Sequence, residues 1–175
     1  MIPAAWLPAC SPRRVILHWT AGANYPSAED LESYNLLIDR VGHVHRGEFG
    51  VLDQMNTTDG VYAAHTRGLN TGSIGMALCG MAGANERPFA PGRYPITAGQ
   101  WNAALFAAAD LCRRYNLEPV ETELAMHCEV QQVFGVVQRG KWDIAVRAWK
   151  CPEAYAAMTP GEELRARVKI LLRED

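Results

Sequence analysis

A short apolar run, Val-Ile-Leu at 15–17, ends in His18 and Trp19 before the small, flexible sequence Thr-Ala-Gly. A run that is this short and continuously apolar predicts a buried strand and not an amphipathic helix. The glycine-bounded segment Ser73–Cys79 predicts a second strand, and Glu123–Met126 predicts a third that ends at His127. Two of the three predicted strands therefore carry a histidine at the carboxyl end, where side chains from distant parts of a chain meet.

Capping and turn signals define the elements between these strands. Ser and Thr with an acidic or amide residue three positions later, or proline at the first helical position, mark the start of a helix. These signals predict helices over Ala28–Ser33, from Thr97 to about Tyr115, and from Pro160 onward. A hairpin is expected over 34–46 and a surface loop over 82–94. Interleaved strands and helices predict one α/β domain over 1–175, with a central mixed β-sheet flanked by helices.

Composition limits the classes of partner and the compartment. The chain has 175 residues and a formal net charge of −2, which gives no electrostatic reason to expect nucleic acid or an anionic membrane as partner. No apolar run reaches membrane-spanning length, and the N-terminal sequence is unlike a secretory signal. Five scattered cysteines without a CxxC pair favour a reducing compartment. We expect a monomer that is made in the cytoplasm and has no stable membrane association.

A zinc site at the rim of the sheet is the chemistry that this pattern favours. His18 and His127 end two strands, and Lys141 and Asp143 follow two positions apart, so that in an extended segment both point the same way. Two neutral imidazoles and one carboxylate form a three-ligand zinc site whose fourth position is open to water. An ammonium group beside such a site suits a developing oxyanion.

Five sequence pieces in this order resemble the zinc-dependent N-acetylmuramoyl-L-alanine amidases of type 2, which are related to phage lysozyme-like amidases and peptidoglycan recognition proteins. The pieces are ILHWTAG, YNLLIDRVGHVHRG, AAHTRGLNTGSIGMALCG, MHCEV and KWD. The resemblance covers about 14–144 and leaves 145–175 as a C-terminal helical extension. It implies hydrolysis of the amide between N-acetylmuramic acid and L-alanine in peptidoglycan, as in a phage or prophage endolysin that acts on the cell wall after release.

The resemblance also assigns roles to individual residues. His18, His127 and Asp143 would bind Zn²⁺. Tyr34 would orient the attacking water or protonate the leaving amine, and Lys141 would stabilise the oxyanion. His65, Arg67 and the loop 82–94 are candidates for binding glycan or peptide. Further matching positions are expected to be structural: Asn70, Ser73 and Gly75. Relatives often carry histidine where this chain has Asn35, which should point away from Tyr34 and affect packing.

Several alternatives remain open for these residues. Asp143 could be the N-cap of a helix over the sequence IAVRAW, and Tyr34 could simply pack in the hairpin. His43 and His45 form a rival metal pair, with no carboxylate at matching spacing. The glutamates at 118–123, with Glu129, are expected to form a solvated rim and not a pair of glycosidase carboxylates.

Three other functions are compatible with the sequence. The chain could be a cytosolic amidase that recycles wall fragments, because such an enzyme would have the same site. It could be a catalytically silent module that binds peptidoglycan, although all three ligand positions are filled. One phage branch of the family also binds RNA polymerase, and no residue named above tests that interaction.

Overall fold

A mixed β-sheet of five strands forms the centre of the structure, a computed structural model that describes residues 2–174. The strands are β1 (Arg14–Trp19), β2 (Leu36–Ile38), β3 (Val44–Arg46), β4 (Ser73–Leu78) and β5 (Leu124–Met126). Their order across the sheet is β3-β2-β4-β1-β5. All neighbouring pairs are parallel except β2 and β3, which form the predicted hairpin. The predicted α/β class and the mixed sheet are confirmed.

In the described part of the chain, four α-helices accompany the sheet: α1 (Ala28–Ser33), α2 (Ala98–Tyr115), α3 (Val130–Phe134) and α4 (Pro160–Leu171). Short 3-10 helices cover Ala4–Trp6, Leu52–Met55, His127–Glu129 and Glu153–Tyr155. Helices α1, α2 and α4 begin where the sequence predicted, because each has a complete capping box. In α2, for example, Thr97 Oγ1 accepts a hydrogen bond from the Gln100 amide at 3.1 Å. Within residues 2–174, none of the helices combines the length and apolarity that a membrane span requires.

One face of the sheet packs against α2 and α4 and forms the hydrophobic core. Alternate residues of the strands point to this face, as the pleat requires. They are Val15, Leu17, Leu36, Ile38, Ile74, Met76, Leu78, Leu124 and Met126. Helix α2 contributes Trp101, which stacks on Trp149 with ring centroids 4.4 Å apart. Helices α2 and α4 therefore cover one side of the sheet.

The opposite face of the sheet carries the histidines at its carboxyl edge. Strands β1 and β5 are parallel with Leu17 opposite Met126. His18 follows Leu17 and His127 follows Met126. The two histidines therefore lie side by side, with ring centroids 4.5 Å apart. The register of two parallel strands thus brings together the two residues that the sequence singled out.

Candidate metal centre

His18, His127 and Asp143 meet at one point beyond the carboxyl ends of β1 and β5. The carboxylate oxygen Oδ2 of Asp143 lies 3.1 Å from His18 Nδ1 and 3.0 Å from His127 Nδ1. All three residues are buried. Among residues 2–174, this trio is the group of histidine, cysteine and acidic side chains whose ligand atoms lie close enough to hold a metal ion, all within 4.8 Å of one another.

Asp143 reaches the histidines through a turn. Its backbone oxygen accepts a hydrogen bond from the amide of Cys128 at 2.8 Å, which fastens the turn beside His127. Residues 143–149 form turns and bends, so the alternative that Asp143 is the N-cap of a helix over IAVRAW is wrong. The carboxylate is directed inward by this irregular segment.

The spacing and the chemistry of the three atoms fit zinc. Nitrogen and oxygen ligands about 2.0–2.1 Å from a tetrahedral zinc ion lie roughly 3.3 Å from one another. The observed separations of 3.0 and 3.1 Å are close to this value. Two nitrogens and a carboxylate oxygen that face one another in a buried site form an electron-rich cluster, which a divalent cation would neutralise.

The protonation states of His18 and Asp143 favour metal binding at neutral pH. Burial lowers the pKa of His18 to about 4; the Asp143 carboxylate opposes this shift, and the charges of His127 and Lys141 add to it. Burial alone would raise the pKa of Asp143, but its close contacts with His127 and His18 outweigh burial and hold the pKa at about 2. His18 is therefore neutral and Asp143 ionised, which are the forms that bind metal.

Tyr34 lies directly beside the trio. Its ring centroid is 5.3 Å from that of His18, with the planes inclined at 50°. Burial raises the pKa of Tyr34 well above its usual value, and the negative charge of Asp143 adds to the shift. The phenol therefore keeps its proton at neutral pH and can donate it or share it in a hydrogen bond.

Lys141 has an exposed side chain at the wall of a cleft next to the trio. The cleft has a volume of about 410 Å³ and is lined by Cys128, Gln131, Gln132, Gln138, Gly140 and Lys141. The lysine charge lies close enough to His18 to contribute to the lowered pKa of that imidazole. Its ammonium group is thus exposed at the cleft and lies outside the trio.

His65 is in a different position from the one expected of a substrate-binding residue. Its side chain is buried, and Nδ1 lies 3.2 Å from His18 Nε2. Burial holds the pKa of His65 well below its usual value. Arg67, by contrast, is exposed, and its backbone oxygen accepts a hydrogen bond from Gln138 at 3.0 Å. The loop 82–94 consists of turns and one bridge between Asn85 and Ala90.

The structure adds buried polar residues that the sequence reasoning missed. Gln138 Oε1 lies 2.9 Å from His127 Nε2. Thr66 Oγ1 lies 2.8 Å from His65 Nδ1, and Gln54 Nε2 lies 3.2 Å from His65 Nε2. Gln138 follows α3 in an irregular segment without periodicity, and no sequence signal marked it.

The structural residues expected from the resemblance have identifiable contacts. The side-chain Nδ2 of Asn35 donates to the backbone oxygens of Phe49 and Gly50 at 3.1 and 3.2 Å. Its Oδ1 accepts a hydrogen bond from the backbone amide of Gly75 at 2.8 Å. Asn70 Oδ1 accepts a hydrogen bond from the Thr66 amide at 2.8 Å. Asn35 therefore ties the hairpin to β4.

His43, His45 and Glu129, the other candidate site residues, lie outside the trio. A carboxylate does lie beside the pair at 43 and 45, contrary to the expectation: Asp39 Oδ2 is 2.8 Å from His45 Nε2 and 3.6 Å from His43 Nδ1. The ligand atoms of Asp39, His43 and His45 do not all lie within 4.8 Å of one another, as those of His18, His127 and Asp143 do. Glu129 forms a bidentate ion pair with Arg165, at 2.8 and 2.9 Å, and is thereby engaged in structure.

The family model for N-acetylmuramoyl-L-alanine amidases matches residues 8–153 of this sequence. The match is longer than the region expected from the motifs and includes all the candidate site residues. A search of curated proteins gives no match.

Solved structures that match this chain include amidases and peptidoglycan recognition proteins. The endolysin N-acetylmuramoyl-L-alanine amidase LysCS from Clostridium intestinale URNW has 18% identity and a TM-score of 0.55, over 94% of this chain and 90% of that chain. The amidase LysC from the same organism has 20% identity and a TM-score of 0.47, over 70% and 74%. Drosophila peptidoglycan recognition protein SA has 17% identity and a TM-score of 0.49, over 81% and 83%. At such identity the LysCS comparison supports the fold alone.

Proposed function

The chain belongs to the N-acetylmuramoyl-L-alanine amidase family, and from that premise we propose that it is a zinc-dependent endolysin that cleaves the amide between N-acetylmuramic acid and L-alanine. Family membership gives the class of enzyme, an amidase that acts on peptidoglycan. Zinc dependence, the roles of individual residues and the lytic role are the proposal.

The convergence of His18, His127 and Asp143 is the observation that carries this proposal. Two nitrogens and one carboxylate oxygen from three separate segments face one another at distances that suit a zinc ion. We assign these three residues as the metal ligands. A peptidoglycan-binding module without activity would not need a complete ligand set, so the filled positions favour the enzyme.

When bound at these residues, zinc would lower the pKa of a water molecule and polarise the scissile carbonyl group. Tyr34 lies beside this trio, and Lys141 lines the adjoining cleft. Tyr34 keeps its phenolic proton because burial raises its pKa. It would therefore orient the attacking water through a hydrogen bond or deliver a proton to the leaving amine of L-alanine.

Lys141 would stabilise the negative charge that develops on the carbonyl oxygen of the substrate. Its ammonium group is exposed at the cleft, so a substrate can reach it without a rearrangement of the core. An oxyanion donor of this kind typically contributes about 10²–10³ in rate. Arg67, which is also exposed, and the loop 82–94 would bind the glycan or the stem peptide.

We propose that the substrate is the intact wall and that the chain acts as a monomer. The alternative, a cytosolic enzyme that recycles soluble wall fragments, would use the same catalytic residues. The two differ in the substrate that is turned over efficiently. Purified sacculi and soluble muropeptides, tested side by side at equal concentrations of stem peptide, separate them.

The products identify the bond that is cleaved. Digestion of purified peptidoglycan by the zinc-loaded protein should release stem peptides with a free L-alanine amino group and leave the glycan strands uncut. Mass spectrometry of the soluble and insoluble fractions measures both. Release of reducing sugars without free L-alanine amino groups would contradict the proposal.

A further inference from the structure

Each of the two imidazoles in the site has a second nitrogen that faces away from Asp143. His127 Nε2 lies 2.9 Å from Gln138 Oε1. His18 Nε2 lies 3.2 Å from His65 Nδ1 and 3.4 Å from Thr66 Oγ1. In a neutral imidazole, the hydrogen bond made by one nitrogen decides which nitrogen carries the proton. These outer partners therefore determine whether the two Nδ1 atoms have lone pairs for a metal.

The amide group of Gln138 is held in one orientation by backbone carbonyl groups. Its Nε2 donates to the oxygen of Arg67 at 3.0 Å and to that of Val136 at 3.4 Å. Carbonyl oxygens only accept hydrogen bonds, so the NH₂ end of the amide must face them. The oxygen end then faces His127, which must donate from Nε2. A neutral His127 therefore has its lone pair on Nδ1, the atom that faces Asp143.

His65 transmits the same constraint to His18. His65 Nε2 lies 3.1 Å from the backbone oxygen of Ser73 and donates to it. The Gln54 amide need not donate to His65, because its Nε2 has backbone acceptors in the oxygens of Ser73 at 3.0 Å, Ala63 at 3.2 Å and Asn70 at 3.4 Å. Neutral His65 thus has a lone pair on Nδ1, which faces His18 Nε2. His18 donates from Nε2 and retains its own lone pair on Nδ1.

Thr66 Oγ1 lies 2.8 Å from His65 Nδ1 and 3.4 Å from His18 Nε2. A hydroxyl can donate to either nitrogen and accept from the other. The Thr66 hydroxyl therefore accommodates the proton position that His65 imposes on His18.

We propose that Gln138 and His65 are positioning residues that hold His127 and His18 with the proton on Nε2 and the lone pair on Nδ1. One hydrogen-bond chain leads from the Arg67 carbonyl through Gln138, and the other from the Ser73 carbonyl through His65. Each of these hydrogen-bond chains begins at a carbonyl oxygen, which can only accept hydrogen bonds. The inference rests on the proposed metal-binding function, and it assigns His65 to ligand orientation instead of substrate contact.

Gln138 and His65 both lie in buried, closely packed surroundings. Gln138 is 5% exposed and His65 is 8% exposed, so water does not replace their contacts. A Cβ atom at Gly75 would lie 2.5 Å from two carbon atoms of the His65 ring, so glycine provides the room for that ring. Partners of metal-ligating histidines typically change metal affinity by 10–100-fold when they are removed.

The first test uses the wild-type chain loaded with zinc. Long-range ¹H–¹⁵N spectra of the histidine rings should show the proton on Nε2 and the metal on Nδ1 for both His18 and His127. A ring of either residue that binds zinc through Nε2 would overturn the inference and leave the proposed function intact. A wild-type chain that binds no zinc would overturn the proposed function itself.

The second test compares the zinc affinity of variants by competition with a chelator. Gln138→Met and His65→Phe keep the side-chain size and remove the acceptor, and each should weaken zinc binding 10–100-fold. Gln138→Glu keeps an acceptor oxygen beside His127 and should bind zinc more tightly than Gln138→Met. Asn102→Met, at an exposed position of α2, is the control. Circular dichroism checks that Gln138→Met and His65→Phe are folded. If the folded variants bind zinc within twofold of the wild-type affinity, the inference is overturned.

Discussion

The ring of His127 lies edge-on to the ring of His18, with centroids 4.5 Å apart and planes inclined at 69°. The parallel register of β1 and β5 fixes this relationship, since Leu17 pairs with Met126 and the histidines follow. A third residue, Asp143, places one carboxylate oxygen within 3.1 Å of both rings. A site formed by two strand ends and a turn is held by the core of the protein and needs little rearrangement to bind an ion.

Replacement of Lys141 by alanine should reduce kcat by about 10²–10³, because one donor to the oxyanion is lost. Zinc content should stay at the wild-type level, since Lys141 is not among the ligand atoms that converge. Release of stem peptides and zinc content measure the two effects. Lys150→Ala, at another exposed lysine, is the control and should keep full activity. Loss of zinc from Lys141→Ala would contradict this assignment.

Tyr34→Phe tests the phenolic hydroxyl separately from the ring. The ring would still pack against His18, while the group that orients water or protonates the amine is removed. We expect kcat to fall by about 10²–10⁴, with little change in stability or zinc affinity. Steady-state kinetics and thermal unfolding distinguish these effects. Activity near the wild-type level would mean that Tyr34 only packs in the hairpin.

Gly75→Ala should destabilise the fold by about 1–3 kcal/mol, because the new methyl group would overlap the ring of His65. In the double variant with His65→Ala, the cost should be smaller than the sum of the two single costs, since the overlap is relieved. Urea unfolding of the four proteins measures this coupling. Additive costs would contradict the proposed contact.

A matched control for this substitution is Gly99→Ala in the first turn of α2. A Cβ atom there would meet only Thr97 Oγ1 at 3.7 Å, an ordinary contact distance. The change from glycine to alanine in a helix should stabilise the protein by roughly 0.5–1 kcal/mol.

The buried carboxylate of Glu163 gives a prediction for stability against pH. Glu163 is 0% exposed and accepts hydrogen bonds from Trp101 at 2.8 Å and Arg147 at 2.9 Å. Burial alone would raise the pKa of Glu163, but these bonds hold it below the usual 4.5. A lowered folded-state pKa contributes stability above pH 4.5, and that contribution is lost as the pH falls through the folded value.

Glu163→Gln should therefore cost about 3 kcal/mol at pH 7, because it breaks a buried ion pair. The difference from wild type should shrink as the pH falls below 4.5. Urea unfolding at pH 7 and at several values below 4.5 measures it. Glu153→Gln, at an exposed glutamate, should change stability by less than about 0.5 kcal/mol at each pH. A difference that grows on acidification would contradict the sign of the pKa shift.

The sequence predicted the elements that local signals define. Capping boxes at Ser27, Thr97 and Thr159 mark helix starts that the structure confirms. Apolar runs predicted β1, β4 and β5, and strand ends pointed to His18 and His127. Such signals were sufficient because capping and hydrophobic periodicity act over a few residues.

The positions of Gln138 and His65 depend on contacts between distant segments, which local sequence patterns do not record. Gln138 belongs to the site because its amide bridges His127 and the backbone of Arg67. His65 turned out to lie behind His18, where Gly75 leaves space, and not at the exposed surface. The local sequence around Gln138 and His65 gives no signal for either packing relationship.

Zinc content and clearing of purified peptidoglycan, measured together on wild type and Asp143→Ala, test the metal-dependent amidase most directly. We expect one zinc ion per wild-type chain and loss of turbidity, with neither zinc retention nor clearing in the variant, whose fold is checked by circular dichroism. Zinc and full activity in Asp143→Ala would contradict the assignment of the third ligand. A wild-type chain that neither binds zinc nor clears the wall would contradict the metal-dependent mechanism.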